Sequence, residues 1–317
     1  MPITVQFATN RRLNGSGLAL SHYTDHSISP SDPAQVTYGT AFVNEVNLTA
    51  DTVGGIFEFQ HVQQGGFSPQ AKGDLAEAGR NLLVFIHGFA NTFENAITRA
   101  AFNRDWLAAS GVPEADTSVV AFCWPSLGRV IIPPILPEAY RADQTMAELS
   151  GLPLMGFLSN LLPIIDQVRQ QGRQVFLLAH SMGHLALQSA LTNWFAHGNG
   201  DAGLFDAAFL AAGDERYDSF EFTPAARLSG LHRVTDHTSI LFNNGDAVLG
   251  LSSAVNATRR LGQDGPHSRA DAARFPADEY TMVDCTGFHD YAVDLASSHQ
   301  YYRRSPAVRS LIAGAMA

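Results

Sequence analysis

From about residue 80 onward the chain is punctuated by compact apolar runs. They are "LLVFIHG" (82–88), "SVVAFCW" (118–124), "VFLLAH" (175–180), "DAAFLAAGD" (206–214), "SILFNNGD" (239–246) and "YTMVDC" (280–285). Near-continuous Val, Ile, Leu, Phe and Ala, in place of strict alternation, is the pattern of strands covered on both faces. Between these runs the spacing predicts helices over 92–108, 140–171, 183–197, 247–260 and 306–316. In the first of them Phe93, Ile97, Ala100, Ala101 and Leu107 share one side, and Asn91 and Glu94 are spaced like a capping box. Alternating strands and helices need crossover connections, hence an α/β fold with a mainly parallel central sheet and helices on both faces. Residues 1–75 read differently. "ITVQFATN" and "IFEFQHVQ" predict short strands, and the stretch between is rich in Ser, Thr, Asp and Asn, so an N-terminal β-rich extension with long loops is expected. Residues 1–317 together are read as one domain.

Composition narrows the function classes. Twenty Phe and 45% hydrophobic residues suffice for a substantial core, and a charged fraction of 16% argues against a disordered chain. The net charge of -10, with no cluster of Lys and Arg, speaks against nucleic acid or an anionic membrane surface as a partner. Cys123 and Cys285 both lie inside apolar runs, so buried free thiols are expected. The N-terminus lacks the basic start and apolar core of a signal peptide, which leads to an expected cytoplasmic location. The greasiest stretch, 151–165, is too short for a membrane span and contains two prolines and an Asn, so no integral span is expected.

In open parallel sheets the chemistry sits at the carboxyl ends of the strands. There "VFLLAH" runs without a loop into Ser181, and a helix follows at once. Such a junction strains the turn residue and holds its side chain out over the sheet edge. The residues two positions either side must then be small, and they are Ala179 and Gly183. This is the nucleophile-elbow pattern with alanine in the first glycine position. A helix N-cap after a strand would give the same serine a purely structural role. Attack on a carbonyl develops negative charge that two backbone N–H groups must meet. Met182, after the serine, supplies one; Phe89, in the His87-Gly88-Phe89 turn after an earlier strand, supplies the other. His87 is read as shaping that turn, and His180 and His184 as packing or surface residues.

Taken together and in this order, "VFIHGF", "WPSLG", "LLAHSMG", a Gly-Asp after a late strand and "SSHQYY" resemble the α/β-hydrolase superfamily. More narrowly, the chain is similar to a bacterial branch of uncharacterised hydrolases that often begins with a "FATNR"-like strand, present here at 7–11. The resemblance implies the α/β-hydrolase fold, a Ser-acid-His triad in that chain order, and esterase-like or lipase-like activity. Two histidines, His289 and His299, follow the last predicted strand, and position alone allows either; the family-like His-x-Tyr-Tyr context favours His299. Two aspartates end "LAAGD" and "FNNGD" alike, Asp214 and Asp246, and either could also be a helix N-cap. The superfamily's usual acid, two strands beyond the nucleophile strand, implies Asp246, with Asp214 as the alternative.

Residues 127–140, "LGRVIIPPILPEAY", leave a strand's carboxyl end as an apolar, doubly prolyl segment. They either pack on the core or form an apolar lip, within a possible cap insertion spanning 125–165. In the second case Val130, Ile131, Ile132, Ile135 and Leu136 would meet an acyl chain or aromatic ester, with 151–162 continuing the lip. No metal-ligand spacing or phosphate loop is present, so no metal and no cofactor are expected. The expected partner is a small-molecule ester. Rival readings are another acyl hydrolase (thioesterase, amidase or peptidase) and a non-catalytic binding module on the same fold.

Overall fold

Each of the six apolar runs after residue 80 forms a strand. The computed structural model of the chain describes residues 2–28, 32, 35–44, 54–77, 79–112, 116–128, 136–223 and 227–316. The strands are β1 (Ile3–Thr9), β2 (Arg11–Leu13), β3 (Tyr23–Ser27), β4 (Thr37–Val43), β5 (Ile56–Gln64), β6 (Asn81–Ile86), β7 (Thr117–Cys123), β8 (Val175–His180), β9 (Phe205–Ala211), β10 (Thr235–Phe242) and β11 (Tyr280–Asp284). The helices are α1 (Pro69–Leu75), α2 (Phe93–Ala109), α3 (Leu136–Leu149), α4 (Gly151–Gln170), α5 (Gly183–Ala196), α6 (Ala247–Asn256), α7 (Leu261–Asp264), α8 (Tyr301–Arg304) and α9 (Pro306–Gly314).

Nine strands make one sheet in the order β11-β10-β9-β8-β6-β7-β1-β4-β5. Pairing is parallel from β11 through β1, and antiparallel only where β4 and β5 extend the edge. Every residue of β7 and β8 is buried, which explains why their sequences are continuous apolar runs. On one face α4 and α5 cover the sheet, and on the other α2 and α9. Registers such as Ile86 beside Ala179, and Ala211 beside both His180 and Leu241, bring the carboxyl ends of β6, β8, β9 and β10 to one edge.

The N-terminal extension adds β1, β4 and β5 to this same sheet, while β2 and β3 pair antiparallel in a two-stranded sheet of their own. One of them, β4, was not anticipated: its "TYGTAFV" mixes small, aromatic and hydroxyl residues, and it is held by β1 and β5 on either side. The cap of α2 also differs from the expectation. Thr92, not Asn91, accepts from Asn95 N–H at 3.1 Å, because Asn91 is committed to the preceding loop. By length and composition alone α4 is apolar enough to cross a membrane. Here Leu154, Phe157, Leu158, Leu161 and Val168 are fully buried on the α5 side of the sheet, so 151–162 belongs to the core and does not continue a lip. Cys123 and Cys285 are buried free thiols.

Candidate active site

Ser181 stands between β8 and α5 with φ of +55°, a left-handed conformation that an L-residue other than glycine enters only at a cost. A Cβ on Gly183 would lie 2.6 Å from the His87 carbonyl oxygen, and one on Gly88 would lie 2.6 Å from Ser181 Cβ. The two glycines therefore let the β6 loop and the start of α5 close on either side of the serine.

That closeness determines which side chains reach it. His299, in a single turn at Ser297–His299 after β11, places Nε2 2.8 Å from Ser181 Oγ and Nδ1 2.7 Å from Asp246 Oδ2. Asp246 follows β10 and is fully buried. It is at the same time the N-cap of α6: Oδ1 accepts from Leu249 N–H at 3.0 Å, while Oδ2 faces the imidazole. One carboxylate thus caps the helix with one oxygen and meets the imidazole with the other. Burial pushes the His299 pKa down, but the charge and hydrogen bond of Asp246, with the more distant charge of Asp214, outweigh it, and the net shift is upward.

The other candidates are placed elsewhere. Asp214 is also buried, but it accepts from Tyr140 Oη at 2.8 Å and Ser252 Oγ at 2.5 Å, and Arg260 Nε lies 3.6 Å away. His289 is exposed. His87 stacks on Trp124 with centroids 4.9 Å apart, and burial lowers its pKa to about 3, so it is neutral and structural. His184 turns its Nδ1 to the Ser181 carbonyl at 2.8 Å. His180 is buried and packs against His299. Its Nε2 lies 3.2 Å from the His299 carbonyl oxygen, and its ring centroid is 4.8 Å from that of His299.

Phe89 and Met182 flank the serine, and among the described residues neither backbone N–H has an acceptor. The loop that carries Phe89 is held from several directions. Asp143 of α3 accepts from Ala90 N–H at 3.2 Å, Leu127 N–H at 2.9 Å and Ser126 Oγ at 2.5 Å; Ser126 Oγ in turn accepts from Asn91 N–H at 3.0 Å. The Asn91 amide closes the loop on the Gly88 and Phe89 carbonyls, both at 2.9 Å. From the N-terminal extension Arg11, with no exposed surface, donates to the Asn91 carbonyl at 2.9 Å and the Ser126 carbonyl at 3.0 Å. Tyr140, Asp143 and Arg11 escaped sequence reading; only Arg11 left a signal there, in the "FATNR" stretch. Asp143→Ala would strip an acceptor from the buried Ser126 hydroxyl and from two partly buried N–H groups, of Ala90 and Leu127. We expect it to lower unfolding free energy by about 2–4 kcal/mol, read by urea denaturation.

A cavity of about 320 Å³ holds this group; Phe89, Val248, Leu251, Val255 and Leu295 give it a mainly apolar wall. Val130, Ile131, Ile132 and Ile135 lie outside the described residues, and Leu136 opens α3. Among the described residues no three His, Cys, Asp or Glu side chains group as metal ligands.

The family described as "Alpha/beta hydrolase of unknown function" (DUF900) matches residues 70–315. The chain belongs to that family. Its fold is the α/β-hydrolase fold, and the protein is a hydrolase. None of the curated proteins matches it. Among solved structures, "esterase PE8" is 15% identical at a TM-score of 0.38, covering 72% of this chain and 94% of its own. TT1662 from Thermus thermophilus is 16% identical at 0.37, covering 75% and 88%. A cold-adapted esterase from an Arctic intertidal metagenomic library is 11% identical at 0.37, covering 92% and 96%. Likeness at that level assigns no chemistry to this α/β hydrolase.

Proposed function

We propose that the protein cleaves carboxylic esters through an acyl-enzyme on Ser181. The observation that carries this reading is the unbroken chain of short hydrogen bonds from Ser181 through His299 to Asp246. His299 Nε2 takes the serine proton as Oγ attacks the carbonyl carbon. Asp246 holds the ring by Nδ1 and stabilises the imidazolium that forms. The Phe89 and Met182 N–H groups receive the oxyanion. His299 then gives its proton to the departing alcohol, and water repeats the sequence to release the acid.

The apolar wall of the cavity favours an acyl chain longer than acetyl. Each methylene buried there contributes about 0.8 kcal/mol, or roughly fourfold in kcat/KM, until the space is filled. The test is kcat/KM across p-nitrophenyl esters of increasing chain length, beside a thioester and an anilide of the best acyl group. We expect a rise from acetate to medium chains and oxygen esters ahead of the other two. A profile that peaks at acetate would remove the acyl-chain preference, and faster thioester or anilide turnover would replace the ester assignment.

A further inference from the structure

The cavity is lined by a cation that the proposed reaction leaves unused. Arg99 of α2 lines it together with Ser181 and Gln300. Its guanidinium makes no hydrogen bond or ion pair among the described residues, and Nη1 is buried with no acceptor. The guanidinium carbon lies 5.9 Å from the centroid of the Phe102 ring. A buried guanidinium nitrogen without an acceptor is costly, and such groups are ordinarily matched by a carboxylate. The acid that lines this cavity, Asp214, is engaged with Arg260, Tyr140 and Ser252, and Asp246 behind it is engaged with His299.

Gln300 adds a second donor. Its Oε1 accepts from Arg303 Nε at 2.9 Å. Arginine can only donate, so the oxygen is fixed on the Arg303 side and the amide NH2 is left for something else. That NH2 has no partner among the described residues.

We propose that Arg99 and Gln300 form an anion subsite for a carboxylate on the substrate, so that the preferred ester is the half-ester of a small dicarboxylic acid. This inference rests on the serine-hydrolase reading for the reaction, and on Arg99 and Gln300 for the specificity. Carboxylate geometry suits a planar guanidinium paired with an amide, and a cavity of about 320 Å³ suits a short diacid. The apolar wall then accommodates the methylenes between the two carboxyl groups.

Binding and turnover separate the two ideas. Calorimetry on the Ser181→Ala protein compares monomethyl glutarate with methyl pentanoate, then repeats the pair in Arg99→Met and Arg99→Lys. We expect the charged ester to bind about tenfold or more tightly than the neutral one, with that ratio lost in Arg99→Met and partly kept in Arg99→Lys. Equal affinity for the two esters, no measurable binding of the charged one, or a ratio unchanged by Arg99→Met would overturn the subsite. With the wild-type protein, the ratio of kcat/KM for 4-nitrophenyl hemiglutarate over 4-nitrophenyl pentanoate should exceed about ten. Hydrolysis of the pentanoate alone would overturn the subsite and leave the hydrolase reading standing. Arg99-dependent binding without hydrolysis of either ester would support the subsite and overturn the hydrolase reading.

Discussion

Ser181→Ala is expected to lower ester turnover by a factor of about a thousand or more while the protein stays folded. The serine hydroxyl is the atom that would form the acyl-enzyme, so what survives is only the contribution of the oxyanion donors and of binding. The backbone effect is small beside this. Position 181 has positive φ, and alanine tolerates that conformation no better than serine does. The change therefore leaves the strain of the turn as it was, and thermal melting should shift little. Retention of more than about a tenth of wild-type turnover would contradict the role of Ser181.

The second large effect separates residues that look alike in the sequence. His299→Ala and Asp246→Asn should each lower kcat by about a thousandfold or more, and His289→Ala should have little effect. Asp214→Asn behaves differently from all of these. It leaves the buried Arg260 without its counter-charge, so its main expected cost is about 3 kcal/mol of stability and not a comparable loss of turnover per folded molecule. The pH profile adds an independent reading. Attack requires neutral His299, whose pKa is raised above the ordinary 6.5, so the acidic limb of kcat/KM should lie above that value. Without the Asp246 charge, burial dominates and the ring ionises at lower pH. The residual activity of Asp246→Asn should then have its limb moved downward. A limb that stays in place, or a larger kcat loss in Asp214→Asn than in Asp246→Asn, would show that the wrong acid has been chosen.

How far the sequence could be read follows from the range of the interactions involved. The parallel sheet was legible because each buried strand must be apolar along its whole length, a local property. The serine turn was legible because small residues are needed within two positions of it. Choosing between Asp214 and Asp246 was a different matter, since both end a strand after a glycine. What separates them is contact across the sheet edge: His299 meets Asp246, whereas Tyr140 and Ser252, from α3 and α6, claim Asp214. No local pattern encodes those meetings. The bracing of the Phe89 loop was hidden for the same reason. Arg11 and Asn91 are 80 residues apart, and their hydrogen bond exists because β1 lies beside β7 and β7 beside β6. The strand β4 was missed because its apolar character is weak, and the neighbours on both sides decide its conformation. Asn91 was misjudged as a cap because its amide is spent on holding the loop that Thr92 then leads into the helix.

The most direct test of the proposed mechanism needs no knowledge of the natural substrate. The folded protein is treated with a fluorophosphonate, and intact mass followed by peptide mapping locates the adduct. One adduct per chain, on Ser181, lost in Ser181→Ala and greatly slowed in His299→Ala, is the result expected of an activated serine. No adduct on folded protein, or an adduct on another residue, would contradict it.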